Sequence, residues 1–294
     1  MRGLRRVTAL LGILAMLTAP ALAEDDENFD LTDLTVVVEE ESLDEETPAP
    51  AAPGDALWDF PVAIGDIDPE LIRLANKQCL LPKDYVPANL VKVPKDPAKG
   101  GIRWAVTPSD GKLKGQYLRE ECAEALCAMN AAMRAVGNFR DMYLKSAYRS
   151  YQKQKTMYHN RLAKNKGKDD GWVSMEGASD HQTGLGCDVV PKNWKDKAMN
   201  DKMMKEPECQ WMAEHCQEYG FIIRYPADKQ EITGIKTEPW HLRYVGIPVA
   251  AYIMENGLCL EEFHTQLAEA VERYLAAGGD PALVSGFTQG GAAE

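Results

Sequence analysis

The sequence lacks several features that would assign it to common protein classes. It contains no CxxC pair, which argues against a structural zinc site built from thiolates. Its N-terminal apolar stretch, residues 7–17, is too short and too weakly flanked for a membrane span. No cysteine directly follows that stretch, which argues against a lipoprotein anchor.

The first 23 residues have the features of an export signal. Arg2, Arg5 and Arg6 precede the apolar stretch, and a small-x-small cleavage pattern ends at Ala23. We therefore expect cleavage after Ala23 and an exported protein of the periplasm or cell envelope, without stable membrane insertion. The alternative is a retained N-terminal anchor.

The formal net charge of −12 is concentrated in one segment. Residues 24–56 hold thirteen Asp and Glu and no Lys or Arg, and then become rich in Pro and Ala, which predicts a disordered linker. Without the signal and these acids, residues 57–294 carry only −2. Nothing in this distribution indicates a nucleic-acid partner.

Residues 57–276 are predicted to form a single α+β domain, because strands and helices mix without regular βαβ alternation. A Gly/Ala-rich flexible tail follows at 277–294. The strongest helix prediction is 115–136, where apolar residues recur every three to four positions. The other predicted helices are 150–162, 206–219, 247–256 and 260–276. The predicted strands are 102–106, 142–148, 185–190, 221–225 and 241–245.

All seven cysteines lie after the predicted signal. In an oxidising compartment some should form disulfides, and the odd number leaves at least one free thiol. Pairs within the predicted helices are too far apart to bridge, so any disulfide should be long-range.

The first candidate site segment contains His181 and Asp188, separated by two glycines. The spacing does not suit one helical face; it suits a histidine on a glycine turn and an aspartate on the following strand. Taken alone, such a pair is more often a structural hydrogen bond.

The second segment places Glu238 three residues before His241. Pro239 argues against the helical His/Glu arrangement of zincins, yet an extended or turn setting still lets both side chains reach a common point. The rival interpretation is a capping glutamate beside a core histidine. Together, the two segments offer ligands for a catalytic zinc and a free carboxylate to take a proton.

The third segment is Arg149, which follows an apolar strand and could stabilise an oxyanion, although a salt bridge is the default role of any arginine. Three further histidines, 159, 215 and 264, lie on predicted helices without carboxylates at useful spacing, and we do not expect them to be ligands.

Five stretches carry a resemblance to a known family. They read LPKDYVP (81–87), SAYRSYQKQ (146–154), SDHQTGLGCDV (179–189), YGFIIRYP (219–226) and EPWHLRYVG (238–246). In this order they resemble the VanY-type D-alanyl-D-alanine carboxypeptidases, which belong to the zinc peptidase group that includes lysostaphin-like enzymes and the hedgehog domain. The resemblance covers about 57–260.

The resemblance implies a role for each candidate. It implies that His181, Asp188 and His241 bind Zn²⁺, that Glu238 is the catalytic base, and that Arg149 faces the scissile carbonyl. The matching positions Ser146, Gln154 and Ser179 would shape the substrate pocket. The implied fold is a small antiparallel sheet with flanking helices.

Two positions depart from the family pattern. Residues 175–177 read Met-Glu-Gly where a Pro-Gly pair is common, and Cys187 stands where a small or apolar residue is usual. Since Asp188 should point at the metal, Cys187 should point the other way along the strand, as a buried thiol.

The expected reaction is zinc-dependent removal of the terminal D-alanine from peptidoglycan stem peptides by a monomeric enzyme. The alternatives are an L,D-carboxypeptidase, a peptidoglycan endopeptidase, or a non-catalytic wall-binding module. Pocket loops, particularly 163–178, should decide the specificity.

Overall fold

The computed structural model describes residues 55–288. The predicted signal (1–23), most of the predicted linker and the end of the tail (289–294) lie outside this range. Within it the α-helices are α1 (Glu120–Val136), α2 (Tyr151–Lys164), α3 (Pro207–His215), α4 (Gln230–Thr233), α5 (Ile247–Glu255) and α6 (Leu260–Ala276). The strands are β1 (Leu90–Lys92), β2 (Arg103–Trp104), β3 (Ser109–Asp110), β4 (Leu113–Lys114), β5 (Tyr117–Arg119), β6 (Met142–Ser146), β7 (Gly186–Pro191), β8 (Phe221–Ile223) and β9 (His241–Tyr244).

The central sheet has five strands in the order β2-β6-β7-β9-β8. All neighbouring strands are antiparallel except the short edge strand β2, which runs parallel to β6. The predicted α+β class is confirmed, and the sheet is small and mainly antiparallel. Two-stranded ribbons, β1-β5 and β3-β4, lie outside the central sheet.

Helix α1 starts five residues later than predicted. Residues 117–119 form strand β5 instead, because they pair with β1 in the register Leu90↔Arg119. Gly115 has a φ of 122°, and a Cβ there would lie 2.9 Å from the Trp104 ring, so a helical start at this position is excluded. The tertiary pairing thus overrides the local helical pattern.

The core consists of two clusters of buried apolar side chains. The first lies around α1, α3 and the inner strands of the sheet, and the apolar positions of α1 that the periodicity identified are buried in it. The second joins α5 and α6 to the segment before β1, where Phe60 and Ile72 are buried. No helix within 55–288 has the length and apolarity needed to cross a membrane.

The end of the described chain packs against α6, although the sequence predicts a loose tail from 277. Val284 and Phe287 are buried, and Asp280 donates its backbone N–H to the Tyr274 hydroxyl at 3.0 Å. These apolar side chains complete the second core cluster.

The expectation of disulfides is not met, because all seven cysteines are free. Five of them are buried, and Cys122 and Cys187 belong to the first core cluster. Burial raises the pKa of the Cys216 thiol to about 12, so this group behaves as a small apolar side chain. Cys187 is fully buried, as the strand alternation predicted.

A buried ion network joins the glycine turn to the sheet and to α6. The Asp180 carboxylate accepts from Arg224 Nε at 2.6 Å and from Arg243, and all three side chains are fully buried. Arg224 also forms a bidentate pair with Glu261 of α6, at 2.7 and 2.6 Å. Arg243 donates to the carbonyl oxygens of Leu71 and Arg73, at 2.9 and 2.7 Å.

We predict that Asp180→Asn lowers the free energy of unfolding by about 3–5 kcal/mol, because two buried guanidinium groups lose their shared charge partner. Burial raises the pKa of Asp180, but the charges of Arg224 and Arg243 outweigh it and hold the pKa below its ordinary value. The stabilisation is therefore present at neutral pH and is lost as the pH falls through the folded-state pKa.

Urea unfolding followed by circular dichroism between pH 7 and pH 3 tests this. The matched control is Asp228→Asn, whose side chain is 74% exposed and which should change little. An Asp180→Asn protein with wild-type stability and an unchanged acid slope would contradict the prediction.

Candidate active site

The candidate ligands meet because β7 and β9 pair in one particular register. Asp188 of β7 lies directly opposite His241 of β9. His181 lies in a 3₁₀ turn, Asp180–Thr183, just before β7. Gly184 follows this turn with a φ of 73°, and a Cβ at Gly186 would lie 2.9 Å from Asp180. The two glycines therefore let the turn fold back against the strand.

Ligand atoms of His181, Asp188 and His241 all lie within 4.8 Å of one another, and the three side chains are buried. Asp188 Oδ2 is 3.4 Å from His181 Nε2, and Asp188 Oδ1 is 3.1 Å from His241 Nδ1. Glu238 Oε2 lies 3.4 Å from the same His241 nitrogen. Two imidazoles and two carboxylates thus converge on one point.

A hydrogen bond to the backbone fixes the orientation of the His181 ring. Its Nδ1 lies 2.8 Å from the carbonyl oxygen of Ala147, so this nitrogen donates and Nε2 keeps a free lone pair. Burial, assisted by the charge of Arg149, lowers the pKa of His181 to about 4. The ring is therefore neutral at neutral pH, as a metal ligand must be.

His241 and Glu238 have shifted pKa values as well. Burial lowers the pKa of His241, but the facing carboxylates of Asp188 and Glu238 outweigh it and raise the pKa to about 9. Burial raises the pKa of Glu238 above its ordinary value, despite the neighbouring imidazole. A carboxylate with a raised pKa is a better proton acceptor near neutral pH.

The residues present fit a metal ion. Asp188 Oδ1 is buried and has no hydrogen-bond partner among the described residues, although His241 Nδ1 is close. A cation between the side chains would satisfy this oxygen. Two nitrogens and one carboxylate oxygen are a donor set that zinc accepts, with Glu238 left over beside it.

Glu238 and His241 belong to a tight turn rather than to a helix. The backbone N–H of Glu238 donates to the Tyr225 carbonyl at 3.0 Å, and that of His241 donates to the Glu238 carbonyl at 3.0 Å. Pro239 lies between them in this turn. The structure therefore has the turn setting that the sequence left open.

Arg149 follows β6 and lines the same cavity. Its guanidinium donates to Gln154 Oε1 at 2.7 Å and to Ser146 Oγ at 2.8 Å. The structure thus places Ser146 and Gln154 as partners of Arg149, while Ser179 lines the cavity beside His181. None of these contacts uses a carboxylate, so the guanidinium charge remains available to a ligand.

The cavity around these groups has a volume of about 180 Å³. Its aromatic wall was not predicted as part of the site: Trp172 stacks on Trp240 with ring centroids 6.5 Å apart, and the Tyr225 ring lies edge-on to His241. Two of these residues, Trp240 and Tyr225, lie inside the sequence stretches that carried the resemblance, which was the available signal.

Ion pairs, a hydrogen bond and a cation–π contact hold the loop after α2, residues 165–178. Lys77 forms an ion pair with Asp169 at 2.9 Å, and Arg161 forms one with Asp170 at 2.5 Å. Gln154 Nε2 donates to the Ser174 carbonyl at 2.5 Å. Lys236 Nζ lies 5.0 Å from the Trp172 ring centroid. Within the predicted specificity loop, 163–178, Trp172, Val173 and Ser174 form part of the cavity wall.

His215, His264 and a larger cavity lie outside the site. His264 binds the Ile72 carbonyl at 2.6 Å, and His215 faces Glu218 at 2.8 Å. A mainly apolar cavity of about 310 Å³, lined by residues such as Met204 and Leu258, contains none of the four convergent groups. The chemistry identifies the smaller cavity as the site.

Comparison with known proteins gives consistent results. The family model described as VanY, D-alanyl-D-alanine carboxypeptidase, matches residues 115–247. The chain is 36% identical to YodJ of Bacillus subtilis over 66% of each chain. It is 33% identical to the bifunctional D-Ala-D-Ala dipeptidase and D-Ala-D-Ala carboxypeptidase VanXYC of Enterococcus gallinarum, over 69% of this chain and 98% of VanXYC.

Among solved structures, the LdcB LD-carboxypeptidase aligns with 66% of this chain and 86% of its own, at 36% identity and a TM-score of 0.56. The resemblance inferred from the five sequence stretches is confirmed.

We predict that His181→Ala abolishes stoichiometric zinc binding, because it removes one of three ligands. Metal content by mass spectrometry and the rise in Tm on adding zinc both test this. His159→Ala, at a side chain that is 58% exposed, is the control and should bind zinc normally. Full zinc occupancy in His181→Ala would remove this residue from the ligand set.

Proposed function

Since the chain belongs to the VanY family of D-alanyl-D-alanine carboxypeptidases, we propose that it uses zinc to remove the terminal D-alanine from peptidoglycan stem peptides. The observation that carries this proposal is the convergence of His181, Asp188 and His241 beside the unligated carboxylate of Glu238. A binding module would not need a largely buried carboxylate that serves no ligand role.

The proposed mechanism gives each side chain one task. His181, Asp188 and His241 would hold the zinc ion, which supplies Lewis acidity that polarises a carbonyl and lowers the pKa of a water molecule. The Glu238 carboxylate takes the proton of the attacking water and passes it to the leaving amino group. Its raised pKa suits both transfers.

Arg149 acts on the carbonyl oxygen of the scissile bond. Its guanidinium is held by two neutral side chains, Ser146 and Gln154, so its orientation is fixed without a direct hydrogen bond to a carboxylate. A preorganised donor of this kind contributes roughly 3 kcal/mol to stabilisation of the developing oxyanion.

Two specificities are compatible with this chemistry. Removal of D-alanine from a D-Ala-D-Ala terminus is the first, in line with the activity named for VanXYC. The LdcB match favours the second, L,D-cleavage of a stem that ends in a single D-alanine. The cavity wall that includes Trp172 and Ser174 would select between the two by its fit to the residue on the amino side of the scissile bond, which is D-alanine in the first case and an L-residue in the second.

We also propose that the chain works outside the cytoplasm, where peptidoglycan lies. The support is the export pattern of residues 1–23. The near-neutral charge of the part from residue 57 onwards fits a small peptide substrate better than a polyanion.

We predict that Glu238→Gln retains zinc but loses catalysis by a factor of at least about 10². The amide has nearly the same shape and cannot accept the proton. Zinc content and peptide hydrolysis are measured on the same preparation, with Glu231→Gln, an exposed site on α4, as the control. Near-wild-type hydrolysis by Glu238→Gln would show that another group is the base.

Incubation of the zinc-loaded protein with stem pentapeptides and tetrapeptides, followed by mass spectrometry, tests the reaction itself. Loss of one alanine from the pentapeptide alone identifies the D,D-activity, and loss from the tetrapeptide identifies the L,D-activity. If neither peptide is shortened, the proposed carboxypeptidase function is wrong.

A further inference from the structure

Residues 88–118 carry a local excess of positive charge. They hold five lysines and one arginine but only two aspartates, a net charge of +4, whereas residues 57–294 as a whole carry −2. The near-neutral total of the folded part therefore hides one basic segment. All five lysines of this segment are exposed: Lys92, Lys95, Lys99, Lys112 and Lys114.

The fold brings three of these lysines together around the Trp104 ring of β2. Lys92 Nζ lies 5.6 Å and Lys95 Nζ lies 5.8 Å from the ring centroid, so both ammonium groups make cation–π contacts with one indole. A Cβ on Gly115 would lie 2.8 Å from Lys92 Cε and 2.9 Å from the Trp104 ring, so the end of the β3-β4 hairpin packs against the same pair. The residue before this glycine is Lys114. Lys92, Lys95 and Lys114 thus form one lysine patch around Trp104.

No acidic side chain neutralises the lysine patch. In the part of the chain that the structure describes, no Asp or Glu oxygen lies within 4.0 Å of its three ammonium groups. The two aspartates of the segment have other partners, since Asp96 caps the 3₁₀ turn that follows it and Asp110 accepts from Ser150. The arginine, Arg103, pairs with Asp141 at 3.1 Å. Like charges grouped at one indole repel one another, and a bound anion would relieve this repulsion.

The patch lacks the features that bind a nucleic-acid base or a membrane. The Trp104 ring already has two ammonium groups beside it, so it is not free to stack on a base. Within 88–118 the only exposed large apolar side chain is Val106, which leaves no apolar face to insert among lipids.

The chemistry of the patch favours phosphate over carboxylate groups. Carboxylates are bound best by the planar fork of arginine, and the arginine of this segment, Arg103, is already paired. Lysine binds phosphate as a point charge, without a fixed geometry. Three ammonium groups on separate parts of the chain therefore suit an anion that repeats along a flexible polymer.

We propose that the lysine patch binds a linear phosphodiester polymer of the cell envelope. The proposal rests on the proposed function for its setting, because the envelope is where peptidoglycan lies. None of the three lysines lines the active-site cavity, so the polymer is a second attachment and not part of the hydrolysed peptide. Its effect is to retain the protein beside the wall between encounters with stem peptides.

Fluorescence anisotropy of labelled poly(glycerol phosphate), titrated with the full chain, tests the proposal. The Kd should rise at least about tenfold when NaCl is raised from about 50 mM to about 200 mM, because each lysine that meets a phosphate releases condensed counterions. Inorganic phosphate at the same concentration of phosphate groups should compete weakly, since a single ion cannot engage the patch as a whole.

The double variant Lys92→Gln with Lys95→Gln should weaken polymer binding at least about tenfold at the lower salt concentration. Lys92→Arg with Lys95→Arg keeps both charges and should retain binding. The matched control is Lys202→Gln with Lys205→Gln, which removes the same charge at the same spacing from two exposed lysines outside 88–118. The control should leave the Kd within about twofold of the unmutated value. An unchanged Tm in each variant shows that the fold is intact.

Equal weakening by the two glutamine variants would overturn the proposal, because binding would then depend on net charge and not on the patch. So would the absence of polymer binding, or tighter binding to phosphatidylglycerol vesicles or to poly-L-glutamate at the same concentration of anionic groups. Failure of the proposed function has a different signature: the zinc-loaded protein shortens no stem peptide, while polymer binding, which needs neither zinc nor turnover, persists.

Discussion

One buried carboxylate, that of Asp180, holds together the parts of the molecule on which the site depends. It is shared by Arg224 and Arg243, which follow β8 and lie on β9. Arg224 also pairs with Glu261 of α6, and Arg243 also donates to a backbone carbonyl in the segment before β1. Three fully buried charged groups are tolerable only because each is paired and hydrogen-bonded, and removing one would leave the others uncompensated. The neighbouring residue is His181, so the same constraint fixes a candidate ligand.

The two imidazoles of the site have different electrostatic surroundings, and their pKa values shift in opposite directions. His181 lies next to Arg149 and a backbone carbonyl, and its ring is neutral, whereas His241 lies between two carboxylates, and its ring favours the charged form. A metal ion at this point would replace the proton of the His241 imidazole and would balance the same carboxylates. The pocket is therefore built around one positive charge at this point, carried either by a proton or by a cation.

The sequence predicted the chemistry of the site better than its assembly. Histidines and carboxylates at short spacings, such as Glu238 and His241, indicate their chemistry locally. The helix predicted from residue 115 was wrong at its start because β5 pairs with a strand almost thirty residues earlier, which no local pattern shows. The partners of Asp180 are 44 and 63 residues away in the sequence. Trp172, which stacks on Trp240, lies in a loop whose polar composition indicates no packing. Disulfides were expected from the predicted compartment, whereas pairing depends on how the fold brings cysteines together, and all seven are free.

The tethered loop 165–178 has a thermodynamic consequence. Its ion pairs, its hydrogen bond to α2 and the stacked Trp172 fix the cavity wall before any ligand arrives. A ligand that enters therefore does not have to order this segment, and little conformational entropy is lost from the protein on binding. Affinity in such a preformed pocket therefore depends on how well a ligand fits the wall as it stands.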